Sequence, residues 1–133
     1  MRLKKVVSVL LIVTMITSLS AIVSAGGSGE YITTSLSSYD SNDIGSCSVS
    51  SWTSTNYKLT VHSVGFNGIP PNTFPSNGLD MIIYDSGGVR VSRNFTSCTT
   101  KSGTFTPHNS TAYVAVENDN SIGVTACCSW KIG

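Results

Sequence analysis

The sequence predicts an all-β protein: an antiparallel β-sandwich, jelly-roll or Ig-like, of about eight short strands behind an N-terminal export signal. Three observations carry this. Apolar residues alternate at period two in one segment after another, turn-forming clusters separate those segments, and nothing after residue 25 has a helical period. Composition agrees, because from Gly26 onward Ser and Thr supply 32 residues and Gly 12, but Leu only 3.

The chain opens with a basic head, Met1-Arg2-Leu3-Lys4-Lys5, and an apolar run from Val6 to Val23. Val23 and Ala25 are the small residues that a signal peptidase inspects, so residues 1–25 are expected to be a removable signal peptide. Membrane contact is then expected only through this segment before cleavage, and the product is secreted and extracellular. Residues 26–30, with Gly26-Gly27-Ser28-Gly29, read as a flexible N-terminus, and residues 31–133 as a single sandwich domain.

Strands are predicted in order at Tyr31–Leu36, Cys47–Trp52, Lys58–Val64, Leu79–Tyr84, Val89–Phe95, Gly103–Thr106, Thr111–Glu117 and Ser121–Ile132. The last is the clearest. Ile122, Val124, Ala126, Cys128, Trp130 and Ile132 share one parity, which places them on a buried face. Leu79–Tyr84 is nearly all apolar, as in a strand covered on both faces. Asp85-Ser86-Gly87-Gly88 and Asn118-Asp119-Asn120-Ser121 read as hairpin turns, since Asn, Asp and Gly tolerate the positive φ of tight turns.

Cys47, Cys98, Cys127 and Cys128 form an even set in an exported chain, which predicts two disulfides. A bridge between the adjacent Cys127 and Cys128 is excluded by its strained ring. Strand parity favours Cys47–Cys128 and Cys98–Cys127.

Charge and motifs narrow the function. Without Arg2, Lys4 and Lys5, five basic residues face seven acidic ones, a net −2 that offers no field for a phosphate backbone. Nucleic acid is therefore not an expected partner. No G-x-S-x-G elbow is present, and His62 and His108 sit on a polar strand face and in a turn, so no catalytic residue is assigned and no enzyme is expected. Asp40-Ser41-Asn42-Asp43-Ile44-Gly45 starts like a calcium loop but has Ser51 where an EF-hand needs an acid. No cofactor is expected beyond a calcium ion between loops, for which Asp40 and Asp43, or Asp119 with Glu117 in Glu117-Asn118-Asp119, are the candidates.

The 65–78 stretch is long, stiffened by prolines and carries Phe66, Ile69 and Phe74, which either plug the open end of the sandwich or form a contact surface. Trp52, opposite in parity to Val49, is the aromatic expected at the surface. Trp52, Phe66, Ile69 and Phe74 are thus the candidate ligand or partner contacts.

The run Leu79-Asp80-Met81-Ile82-Ile83-Tyr84-Asp85-Ser86-Gly87-Gly88-Val89, then Gly103-Thr104-Phe105-Thr106 and Ala112-Tyr113-Val114-Ala115-Val116-Glu117-Asn118, resembles the bacterial pre-peptidase C-terminal type of domain. The resemblance spans residues 79–118, and the four cysteines depart from it. It implies a jelly-roll-like sandwich that accompanies secreted enzymes and in some members binds polymeric substrates or calcium. The expected function is a secreted, non-catalytic binding module for a cell surface, glycan, extracellular polymer or protein. The alternatives are a secreted antagonist (a bacteriocin-like toxin or peptidase inhibitor) and a structural component of an extracellular or spore layer.

Overall fold

The computed structural model describes residues 25–133, so the expected signal peptide, residues 1–25, lies outside them apart from Ala25. Eight strands follow in order: β1 Gly27–Leu36, β2 Asp40–Ser48, β3 Thr55–Gly65, β4 Leu79–Tyr84, β5 Arg90–Phe95, β6 Thr100–Phe105, β7 Thr111–Asn118 and β8 Val124–Ile132. They form two antiparallel sheets, β1-β8-β3-β6 and β2-β7-β4-β5. First pairs with last, second with seventh, third with sixth and fourth with fifth. That is a long hairpin rolled up on itself, the jelly roll rather than the Ig arrangement.

The apolar parity of each strand makes the core. Leu59 and Val61 of β3, Met81 and Ile83 of β4, Val114 and Val116 of β7, and Cys128 and Ile132 of β8 are each no more than 2% exposed between the sheets. Trp130 lies there too, with its indole against Gly29 of β1 and Gly45 of β2. A Cβ on Gly45 would stand 2.4 Å from the ring, and one on Gly29 2.5 Å from its Nε1. These positions must be glycine for the indole to close the β1/β2 side of the sandwich.

Several expectations are corrected. Gly27–Glu30 are not a loose lead-in but the start of β1, with Gly27 opposite Ile132. The predicted strand Cys47–Trp52 lies instead at Asp40–Ser48, where polar residues and a register shift between Asp43 and Gly45 mask the alternation. Asn118–Ser121 is no hairpin, because β7 and β8 belong to different sheets. The turn is a crossing tied by a buried amide pair: Asn118 Nδ2 donates to the carbonyls of Ser37 and Ile122, and Asn120 Nδ2 donates to Asn118 Oδ1 and the Gly78 carbonyl. The last strand begins at Val124, leaving Ile122 exposed.

No two of the four cysteines lie at disulfide distance, so neither favoured pair is brought together. Cys47 sits beside Gly27, whereas Cys128 pairs with Ile32, five residues further along β1. Cys98 lies on the β6 side of β3, since the Thr99 carbonyl accepts from the Val61 amide, while Cys127 is on β8, beyond β3. Two strand spacings, about 9.6 Å, exceed the roughly 7 Å that a disulfide tolerates between Cα atoms. Burial foremost, then the neighbouring Cys127 and Cys98, pushes the Cys128 thiol pKa up to about 12. Alkylation near pH 8 is expected to reach the exposed Cys98 first and Cys128 last, as followed by peptide mass mapping. Equal rates for the two would contradict this burial.

Candidate functional site

The outward face of the β1-β8-β3-β6 sheet carries a groove of about 420 Å³ whose walls include Glu30, Tyr31, Lys58, His62, Ser129 and Lys131. Its geometry starts with a bulge. Between Gly29 and Ile32 the β1–β8 register shifts by one, so that Glu30 and Tyr31 together oppose the single residue Ser129. Tyr31 takes a left-handed backbone, φ 49°, and its amide donates to Ser129 Oγ at 2.9 Å. The ring, 68% exposed, lies flat on the His62 imidazole with centroids 4.3 Å apart and 21° between planes. His62 Nε2 is in turn 2.7 Å from Ser129 Oγ. The serine thus fixes both the backbone and the partner of one exposed aromatic ring.

A bulky residue with positive φ is uncommon and costs on the order of 1 kcal/mol. Among the described residues four that are not glycine have it: Tyr31, Tyr39, Trp52 and Asn72. The three aromatics among them are also the most exposed large apolar side chains, at 68%, 71% and 69%. Core packing does not account for this placement, since all three rings face solvent.

The next cross-strand rows of the same face are polar. Thr60 and Thr100 join their hydroxyls at 2.8 Å. Ser28, Lys131, Lys58 and Ser102 stand in register across all four strands. A second groove of about 420 Å³, lined by Asn56, Lys58, Ser102, Thr104 and Lys131, continues from the first.

Of the contacts predicted from sequence, Trp52 is exposed and stacks on His108, with centroids 4.0 Å apart. Beneath His108 lies Asp85, 5% exposed. One of its oxygens accepts from the amides of Gly87 and Val89, the other from those of His108 and Asn109. Burial alone would raise its pKa; the four amides outweigh that and hold it below the ordinary aspartate value. Asp85 thereby locks the β4–β5 turn to the β6–β7 loop that carries the Trp52 platform. Phe66 and Phe74 pack against the core, which leaves Ile69 as the exposed one of the three apolar contacts predicted in the 65–78 loop.

The calcium candidates are dispersed. Asp43 accepts from the Tyr84 hydroxyl at 2.7 and 2.9 Å, and Asp40 from the Ser41 amide. Asp119 instead joins Asp80 and Glu117, whose carboxylates come within 4.8 Å of one another. Sequence reasoning paired Glu117 with Asp119 but missed Asp80, which the β4–β7 register sets opposite Glu117.

No protein-family profile and no curated protein matches the chain. Among solved structures it is similar to a family 16 carbohydrate-binding module, with 18% identity over 70% of each chain and a TM-score of 0.41. It is also similar to a de novo designed double-stranded β-helix, with 8% identity over 79% of this chain and all of that one, and a TM-score of 0.36. Likenesses of this depth bear on neither family nor ligand.

Proposed function

We propose that the protein is an exported, non-catalytic binding module that holds an extracellular glycan or related polymer along the outward face of β1-β8-β3-β6. The observation that carries this is Tyr31, a ring held flat and exposed at a strained backbone position above a polar groove. An immobilised aromatic face matches the apolar face of a sugar ring at little entropic cost. The surrounding Ser, Thr and Lys groups match its hydroxyls.

The Ser129–His62 contact has the spacing of a nucleophile and its base but not their setting. Among the described residues nothing orients the other imidazole nitrogen by a hydrogen bond, and Ser129 sits on a central strand paired on both sides. Backbone donors committed to a ladder do not form an oxyanion hole. The pair positions Tyr31 instead.

The test is affinity electrophoresis through gels carrying a panel of extracellular polysaccharides. Tyr31→Ala is expected to weaken retention roughly 30-fold, the loss of about 2 kcal/mol typical of a central aromatic contact. Trp52→Ala, on the other aromatic platform, is expected to leave it nearly unchanged. The reverse result would move the site to the Trp52–His108 end, and no retention on any polymer would end the glycan reading.

A further inference from the structure

We propose that the polymer bound by this face is acidic, its carboxylate or sulfate groups lying between Lys58 and Lys131; this rests on the glycan reading above. The two lysines are register partners in the β3–β8 ladder, both exposed on the same face. Like charges directly opposite on a sheet destabilise it, and an anion lying between them would offset the repulsion.

The described residues contain no such group. Their one ion pair, Arg90–Glu117, is on the other sheet. In the lysine row the flanking residues are Ser28 and Ser102, which are neutral. The other titratable or charged side chains nearby are Glu30, Tyr31 and His62 in the adjoining groove, Tyr57 in the second, and Arg93, which donates to the Tyr57 hydroxyl and the Ser102 carbonyl. Glu30 is the sole acidic side chain lining either groove, Gly133 with its carboxyl end lines the second, and neither forms an ion pair with a lysine. The two ammonium groups are therefore left for an external anion.

Position supports an extended ligand. Both lysines line both grooves, so they stand where the two meet. Lys131 is two residues from Ser129, the Tyr31 anchor, or about 7 Å along the strand. A polysaccharide stacked on Tyr31 would carry its next charged substituents over the lysine pair, with Thr60, Thr100 and the two serines available to its hydroxyls.

The experiment compares retention of the protein by polygalacturonate, dextran sulfate, neutral dextran and polyaspartate. Retention by one or both acidic polysaccharides, and not by dextran or polyaspartate, is expected; which of the two binds identifies carboxylate or sulfate. It should fall several-fold between about 50 and about 200 mM salt. The double variant Lys58→Gln/Lys131→Gln should lose about tenfold or more together with the salt dependence, while its melting temperature stays level or rises as repulsion is relieved. Equal retention by dextran, or acidic-polymer binding unchanged in the double variant, overturns the assignment to an acidic ligand but leaves a Tyr31-dependent glycan module standing. Equal binding of polyaspartate also overturns it, because charge alone would then suffice. Failure to bind any polysaccharide removes both readings.

Discussion

Gly45→Ala is expected to cost about 3 kcal/mol, the upper end for a single overpacked methyl in a core. The added carbon would have to occupy space 2.4 Å from the Trp130 ring, which Gly29 confines from the β1 side. The indole is 5% exposed and its Nε1 has no hydrogen-bond partner, so packing rather than any polar contact fixes its position. Denaturant unfolding measures the loss. Shortening the clashing partner should relieve it: in a Trp130→Leu background, itself destabilised by a cavity, Gly45→Ala should cost markedly less. Equal costs in both backgrounds would mean that the glycine serves the β2 bulge alone and not the indole.

The second large effect falls on Asp85. In Asp85→Asn the amide oxygen can still accept two of the four N–H groups, but the new NH₂ faces the other two as a fellow donor. Two buried amides left unpaired cost about 1–3 kcal/mol each, so the variant should lose roughly 3 kcal/mol and on the order of 10–20 °C in melting temperature. The pH dependence has a definite sign. The folded-state pKa lies below the unfolded one, so the carboxylate's contribution is complete above the ordinary aspartate range and is lost as pH falls through the lowered folded value. The gap in melting temperature between the wild type and Asp85→Asn should therefore be widest near neutrality and narrow in acid, below about pH 4. A gap independent of pH would refute the charged state assigned to Asp85.

The sequence read well wherever a face alternates against water. Lys58–Val64 and Ser121–Ile132 betrayed β3 and β8 because each alternates cleanly, and Leu79–Tyr84 coincides with β4 because an apolar run bounded by turns leaves little choice. Parity placed Cys128 and Trp130 inside, where they are. Parity does not say how far along a partner strand a residue lies, and this is why the favoured cystine pairs failed. The choice between jelly roll and Ig likewise depends on pairing over long separations, such as Gly27 with Ile132, to which local composition is blind. β2 was displaced because its outward residues are small and polar and its bulge resets the period at Gly45.

The candidate site was less legible for the same reason. Tyr31 counted only as the first residue of a short strand, and His62 as a solvated histidine. Their stacking depends on a bulge in one strand and a serine on another, 98 residues away from Tyr31. The opposition of Lys58 and Lys131 is invisible until the register is known. Trp52 was recognisable as a surface aromatic, yet nothing local to it indicated that His108 would lie beneath.

The place of β8 in the first sheet has a consequence for biogenesis. It is the last strand to be synthesised, yet it stands between β1 and β3 and hydrogen-bonds to both. Until residues 124–132 have emerged from the ribosome, β1 has no neighbour in its sheet and stays apart from the β3–β6 pair. Chains whose contacts span such long separations fold slowly, over milliseconds to seconds. A nascent polypeptide of this design cannot close its first sheet until β8 has been made.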